Sequence, residues 1–129
     1  MPRRRKMGKE IALLINEQMV NNYFYLISKR DVRGLLELFA DDAVVNEPFS
    51  NVREGLRGKS AIEHFLKVAV MANAGMRKTI EFTNKSEDSI TALVTFERGD
   101  TIKGKFTFNS LLSSIGRKIT MLTIRFSRM

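Results

Sequence analysis

Glu47 is the residue of this chain best equipped for acid–base chemistry. It closes the stretch Leu38-Phe39-Ala40-Asp41-Asp42-Ala43-Val44-Val45-Asn46-Glu47, which reads as an apolar helix end, an acidic corner and a short strand finishing on a carboxylate. Pro48 follows at once and stops the strand, because proline has no backbone N–H to give to a sheet. The carboxylate therefore stands at the mouth of whatever the strand helps to enclose. At the rim of an apolar cavity a carboxylate is equipped to act as a general base, since apolar surroundings disfavour its charged form. The plainer reading is a rim carboxylate in solvent, or one paired with Arg53 or Arg57. His64, the only histidine, falls nearly opposite the apolar side of its helix and is expected in solvent. One histidine and scattered carboxylates assemble no metal site. The absence of cysteine excludes disulfides, thiolate zinc sites and cysteine nucleophiles.

The elements that must position Glu47 can be read from periodicity. Ala12, Met19, Val20, Tyr23, Leu26 and Ile27 share one stripe at 3.6-residue spacing, which predicts a first helix from about Lys9 to Lys29. Tyr23 sits near the centre of that stripe, Asn16 lies on it two turns earlier, and Phe24 and Tyr25 point elsewhere. Tyr23 is either a hydroxyl facing a pocket or a core tyrosine bonded to a backbone carbonyl. Asp31 is the expected cap of a short second helix carrying Leu35, Leu36, Leu38 and Phe39, which Asp41-Asp42 ends; Ala43–Glu47 is the strand. Ser60, with Glu63 three residues on, reads as the capping box of a third helix whose stripe is Ile62, Phe65, Leu66, Ala69 and Asn73. Beyond Gly75 the pattern alternates: Ile80 and Phe82, then Ile90 to Phe96, then Ile102 to Phe108, then Leu122 to Phe126 give four strands. Helices first and an antiparallel sheet afterwards define an α+β layout, with the helices over one sheet face.

A chain of 129 residues is one domain, large enough to bury a real core. No apolar run reaches the roughly 18 residues needed to span a bilayer, and the basic start leads into no signal-peptide pattern. A cytoplasmic location follows by default. The net charge is +8, and half of it lies in Arg3, Arg4, Arg5 and Lys6. Residues 1–8 are therefore expected to form a basic, mobile tail ahead of one domain over residues 9–129. Such a tail is an electrostatic handle for phosphates, but no Gly-x-x-Gly clamp, zinc knuckle or basic–aromatic interleaving accompanies it.

These segments resemble the NTF2-like superfamily, the α+β (cystatin-like) cone that includes ketosteroid isomerases and SnoaL-like polyketide cyclases. Asp31 followed by Leu35-Leu36-Glu37-Leu38-Phe39-Ala40-Asp41-Asp42-Ala43 is similar to the family phrase GD…LFADDA. Glu47-Pro48-Phe49 is similar to the EDPFG-like segment of ketosteroid isomerases, and Arg57-Gly58-Lys59-Ser60-Ala61-Ile62 with Phe65 to the start of the family's third helix. The likeness runs from about Val20 to Phe126. It implies three helices packed on a curved antiparallel sheet. It also implies, position by position, that Tyr23 matches the tyrosine that donates to the oxyanion and Glu47 the general-base aspartate before the proline. Asn109 falls where those enzymes carry a second oxyanion donor, a protonated aspartic acid. Glu47 is one methylene longer than that aspartate, Asn109 donates through an amide that cannot ionise, and Phe39 and Leu66 replace two supporting tyrosines. Alternation groups Asn109 with Thr107 and Lys105, opposite Phe106 and Phe108. Asn109 joins the site if its own face lines the pocket, and lies on the surface if the phenylalanines do; the first is the expectation.

The expected protein is a small-molecule binder of the SnoaL or ketosteroid-isomerase type. As an enzyme it would be a cofactor-independent isomerase, cyclase or dehydratase acting on a hydrophobic carbonyl compound. Val20, Phe39, Val45, Phe65, Leu66, Leu122, Ile124 and Phe126 would form the apolar wall. The alternative is a non-catalytic ligand-binding or protein-interaction module. Either form is expected to be a homodimer through the outer sheet face carrying Ile119, Met121 and Thr123. A nucleic-acid-binding cone using the Arg3–Lys6 tail is a further alternative, which would show a steep salt dependence.

Overall fold

The computed structural model describes residues 2–50, 52–114 and 116–128, with the side chains of residues 2–7 and 128 outside the description. Helix α1 (Pro2–Lys29) begins earlier than its apolar stripe requires. The cations Arg3, Arg4, Arg5 and Lys6, expected in a mobile tail, fall where side chains are not described. Met19, Val20, Tyr23 and Ile27 are buried as the periodicity requires, and Phe24 is buried too, so the apolar face is wider than the stripe. The helix ends in two bonds, Arg30 N to Ile27 O at 3.1 Å and Asp31 N to Leu26 O at 3.0 Å. Arg30 takes the left-handed φ of 57° that this terminus demands. Asp31 then caps α2 (Val32–Glu37) by accepting from Gly34 N at 2.9 Å.

Helix α2 is shorter than expected, and strand β1 (Phe39–Asn46) starts at Phe39 rather than Ala43. The cause is tertiary. Leu38 O accepts from Ile119 N at 2.8 Å, so pairing with the last strand takes the chain over before the Asp pair is reached. Two lysines tie down the carbonyls left at this end: Lys59 Nζ donates to Leu36 O and Phe39 O at 2.7 and 2.8 Å, and Lys118 Nζ to Glu37 O at 2.6 Å. The short β2 (Leu56–Arg57) leads to α3 (Lys59–Ala72). Here the capping-box expectation is corrected. Gly58, at φ 88°, occupies the cap and the helix starts one residue before Ser60, which therefore has no cap to make.

Strands β3 (Arg77–Thr83), β4 (Ser89–Arg98), β5 (Asp100–Ser113) and β6 (Gly116–Arg128) complete a six-stranded sheet in the order β2-β1-β6-β5-β4-β3. All pairings are antiparallel except β1 with β6. Three helices thus cover one face of a mostly antiparallel sheet among the described residues. The inner face carries Ile90, Ala92, Val94 and Phe96 on β4, Phe106 and Phe108 on β5, and Leu122 and Ile124 on β6, all buried.

One bulge changes the outer face. Asn109 pairs with Met121 and Ser110 with Ile119, so Thr120 is an extra residue in β6, and its hydroxyl donates to Asn109 O at 3.2 Å. An inserted residue inverts the in–out alternation beyond it. Ile119, expected on the outer face, is consequently fully buried in the core, while Met121 stays outside. At the same end Asn16 is fully buried, donating to Ser86 O and Glu87 O at 3.0 and 2.9 Å and accepting from Ser110 Oγ at 3.0 Å. Arg117 joins this network through Glu87 O and Ser110 Oγ. These bonds fasten α1 to the turn between β3 and β4 and to β5.

Candidate functional site

The wide end of the cone holds a cavity of about 460 Å³ between α1, α3 and the inner sheet face. Its size falls within the range of small-ligand sites. Tyr23, Phe24 and Ile27 enter from α1, and Phe65, Val68, Ala69 and Ala72 from α3. The sheet contributes Phe96, Ile102, Phe106, Ile124 and Phe126, and the segment after β1 contributes Glu47 and Phe49. Among the described residues, the polar ones around it are Tyr23, Glu47, Asn73 and Ser127.

Gly104 on β5 lets the floor form: a Cβ there would stand 2.7 Å from the Phe106 ring and 3.1 Å from the Phe96 and Phe126 rings. The rings meet over it at centroid distances of 6.0 to 6.2 Å. Phe49, 77% exposed, leans over the mouth with its ring 5.5 Å from that of Phe126.

Tyr23 is 2% exposed and is held edge-on by Phe24 at 5.0 Å and Phe108 at 5.3 Å. Burial pushes its phenol well above the ordinary tyrosine value, so the group is a neutral O–H donor at physiological pH. Among the described residues its hydroxyl makes no hydrogen bond. The backbone-satisfied core tyrosine is thus not what the structure shows.

Glu47 is half-buried just beyond the end of β1. Its two oxygens accept from Phe49 N at 2.9 Å and Ser50 N at 3.1 Å, folding the chain after Pro48 into a tight turn. Each carboxylate oxygen keeps a further lone pair, since the ionised group offers about four acceptor sites. Among the described residues Glu47 forms no ion pair; Arg57 Nη1 instead donates to Asp42 O at 3.4 Å. The same turn that presents the carboxylate therefore also sets Phe49 over the entrance.

The predicted site residues separate into two groups. Tyr23, Glu47, Phe65, Ile124 and Phe126 meet around the cavity. Val20, Phe39, Val45, Leu66 and Leu122 are fully buried in the core cluster and do not line the space. Asn109 is corrected outright. Phe106 and Phe108 face the helices, so Asn109, Thr107 and Lys105 occupy the outer face, where Thr107 Oγ1 lies 3.3 Å from Thr91 Oγ1. Asn73 and Ala69 of the α3 stripe, and Phe96 and Phe106 of the alternating segments, carried a readable core signal that did not mark them as cavity wall. The same holds for Ile102, which opens an alternating segment, whereas Phe24 and Ser127 had none. His64 is exposed, and among the described residues no group of three or more His, Asp or Glu side chains could hold a metal ion.

The fold is that of a known class. Residues 20–120 match the model of the SnoaL-like domain, and the chain belongs to that family, within the NTF2-like superfamily. No curated protein matches the sequence significantly. Among solved structures it is similar to SalBIII, an epoxide hydrolase/cyclase-like enzyme of pyran ring formation in the polyether salinomycin. Identity is 16% and the TM-score 0.67, over 86% of this chain and 89% of that one. It is also similar to a steroid delta-isomerase from Pseudomonas aeruginosa, at 17% identity and a TM-score of 0.66 over 88% and 80% of the two chains. A computationally designed binder of 17-OHP matches at 24% identity and a TM-score of 0.60 over 84% and 90%. Among the described residues no helix is long and apolar enough to cross a membrane.

Proposed function

We propose that this protein takes an apolar carbonyl compound into the cavity and moves a proton beside the carbonyl, as an isomerase, cyclase or dehydratase that needs no cofactor. The observation that carries this reading is the shared wall: Tyr23 and Glu47 open on one cavity whose other lining is almost wholly apolar. Tyr23 is the donor that would meet the carbonyl oxygen and stabilise it as it becomes an enolate. Glu47 is the acceptor that would take the α-proton. Water exclusion by the surrounding phenyl rings strengthens both interactions. The reading is in keeping with the reactions named for two proteins of similar fold, ring formation for SalBIII and steroid isomerisation for the Pseudomonas protein.

The test is α-proton exchange of 1-tetralone, an apolar enolisable ketone, followed by NMR in D₂O. Exchange faster with protein than in buffer is expected. Binding without any acceleration would leave a non-catalytic ligand carrier, a reading to which the prior engagement of Glu47 by two turn N–H groups lends some weight. No binding at all would defeat the proposal.

The outer sheet face supports a homodimer. Leu93 and Met121 stand 39% and 38% exposed on it, beside the threonines Thr91, Thr107 and Thr123, and among the described residues no helix covers that side. Exposed apolar side chains on an uncovered sheet face, here set among polar neighbours and the cations Lys105 and Arg125, favour a second copy. Sedimentation velocity at micromolar concentration should show a species of twice the 14.8 kDa chain mass, and Met121→Lys should shift it to monomer. A monomeric wild-type protein would exclude this interface.

A further inference from the structure

Glu47 is the carboxylate of a cavity wall that carries, among the described residues, no lysine, arginine or histidine. The chain has a net charge of +8, yet among those residues no cation pairs with Glu47. The sheet sets its position. β1 runs parallel to β6 with Val45 beside Leu122, and both of these are fully buried. Counting on two residues from Val45 places Glu47 on the same inner face. Two residues further, the Phe49 ring meets that of Phe126 at 5.5 Å, and Phe126 meets Phe96 and Phe106 at 6.2 and 6.0 Å. The carboxylate thus stands beside a cluster of phenyl rings at an open mouth, where Phe49 is largely exposed. The bonds from Phe49 N and Ser50 N leave each of its oxygens a further lone pair.

We propose that the cavity also takes lipophilic amines in their protonated form, with the ammonium at the mouth between the Glu47 carboxylate and the Phe49 and Phe126 rings, and the apolar body inside. This rests on the reading of the cavity as a ligand site, and not on Glu47 acting as a base. The face of a phenyl ring is negative and attracts a cation placed over it, while the carboxylate supplies the counter-charge. The same carboxylate repels an apolar anion. Because the mouth is open to water, the ammonium keeps part of its hydration, so the desolvation cost that offsets a deeply buried ion pair stays small. The field of the whole chain acts the other way, since a net charge of +8 attracts anions. A preference for the cation is therefore a local property of this wall. An amine seated there occupies Glu47, so such compounds act as inhibitors of proton transfer and not as its substrates.

The experiment titrates three compounds of one skeleton, 1-naphthylmethylamine, 1-naphthylmethanol and 1-naphthoate, by calorimetry at neutral pH into the wild-type protein, Glu47→Gln and Phe126→Leu. The wild type should bind the amine on the order of tenfold more tightly than the alcohol, the combined effect of an exposed ion pair and a cation–π contact. Naphthoate should bind most weakly, and saturating amine should abolish the heat of alcohol binding. Glu47→Gln should remove most of the amine-to-alcohol ratio. Phe126→Leu, which keeps apolar bulk without a ring, should lower the ratio by less. Equal affinity of the wild type for amine and alcohol, or tighter binding of naphthoate, would overturn the assignment and leave the cavity reading intact. A ratio undiminished in Glu47→Gln, or an amine that does not displace the alcohol, would overturn it by placing the cation elsewhere. Should none of the three bind, the assignment and the cavity reading fail together. The exchange of 1-tetralone is read separately, so a failure of the proton-transfer reading is distinct from each of these results.

Discussion

Glu47→Gln should slow the exchange of 1-tetralone α-protons by roughly 10²–10⁴-fold, the usual contribution of a positioned acid or base. Its affinity for the ketone should change little. A base acts in the transition state, and an interaction made only there appears in kcat and not in ground-state binding. The amide is close in shape to the carboxylate but accepts through one atom, so it cannot take up a proton and cannot serve both turn donors. One of the bonds from Phe49 N and Ser50 N, now 2.9 and 3.1 Å, is therefore expected to loosen as well. Glu47→Asp separates these effects, since it keeps the charge but draws it back by one methylene. If Glu47→Gln exchanges tetralone as fast as the wild type, Glu47 is a turn cap and nothing more. Tyr23→Phe should cost roughly 10²–10³-fold, the loss seen for a single oxyanion donor. With Asn109 on the outer face, no second donor takes over from the side placed there by alignment.

Phe108→Ala should destabilise the fold by about 3–5 kcal/mol, the range for truncating a large buried aromatic. Phe108 is fully buried and stands where the helix layer meets the sheet, edge-on to Tyr23 at 5.3 Å, 6.4 Å from Phe24 and stacked on Phe106 at 6.4 Å. Its removal leaves a void that rings fixed by the strand and helix backbones cannot collapse to fill. The measurement is urea unfolding followed by circular dichroism, with the loss read from the midpoint at an unchanged slope. A loss under about 1 kcal/mol would mean that the ring is not packed as described. The same truncation removes one of the two rings that hold Tyr23 in place, so ketone binding should weaken beyond the loss of folded protein.

Local order was legible in the residues themselves. The stripe from Met19 to Ile27, the Asp31 cap, the third-helix stripe and the four alternating segments all rest on interactions between near neighbours, and each element is present. Glu47 at the close of a strand stopped by Pro48, and Tyr23 at the centre of a helix stripe, were likewise readable. Both reach the same cavity, Tyr23 from α1 and Glu47 from just beyond the end of β1. The element boundaries that shifted did so where a distant partner intervened: Ile119 N bonds Leu38 O at the end of α2, and Ala43 O holds Gly58 N at 3.0 Å where α3 begins ahead of Ser60.

What the sequence determined, then, is which residues share a face; what the tertiary structure decided is where each face looks. Alternation groups Asn109 with Lys105 and Phe106 with Phe108 equally well whichever set turns inward, and only the packing of Tyr23 and Phe24 on the phenyl rings breaks that symmetry. One extra residue at Thr120 then buried Ile119 and left Met121 outside, because parity along a strand is inverted by a single insertion. The division between filled core and open cavity is of the same kind. Leu66 and Phe65 are adjacent in sequence and both apolar, yet Leu66 is fully buried in the core cluster while Phe65 lines the space with Tyr23 and Glu47. Composition supplies the apolar side chains, but the volume they leave empty depends on how far apart the helices and the sheet are held.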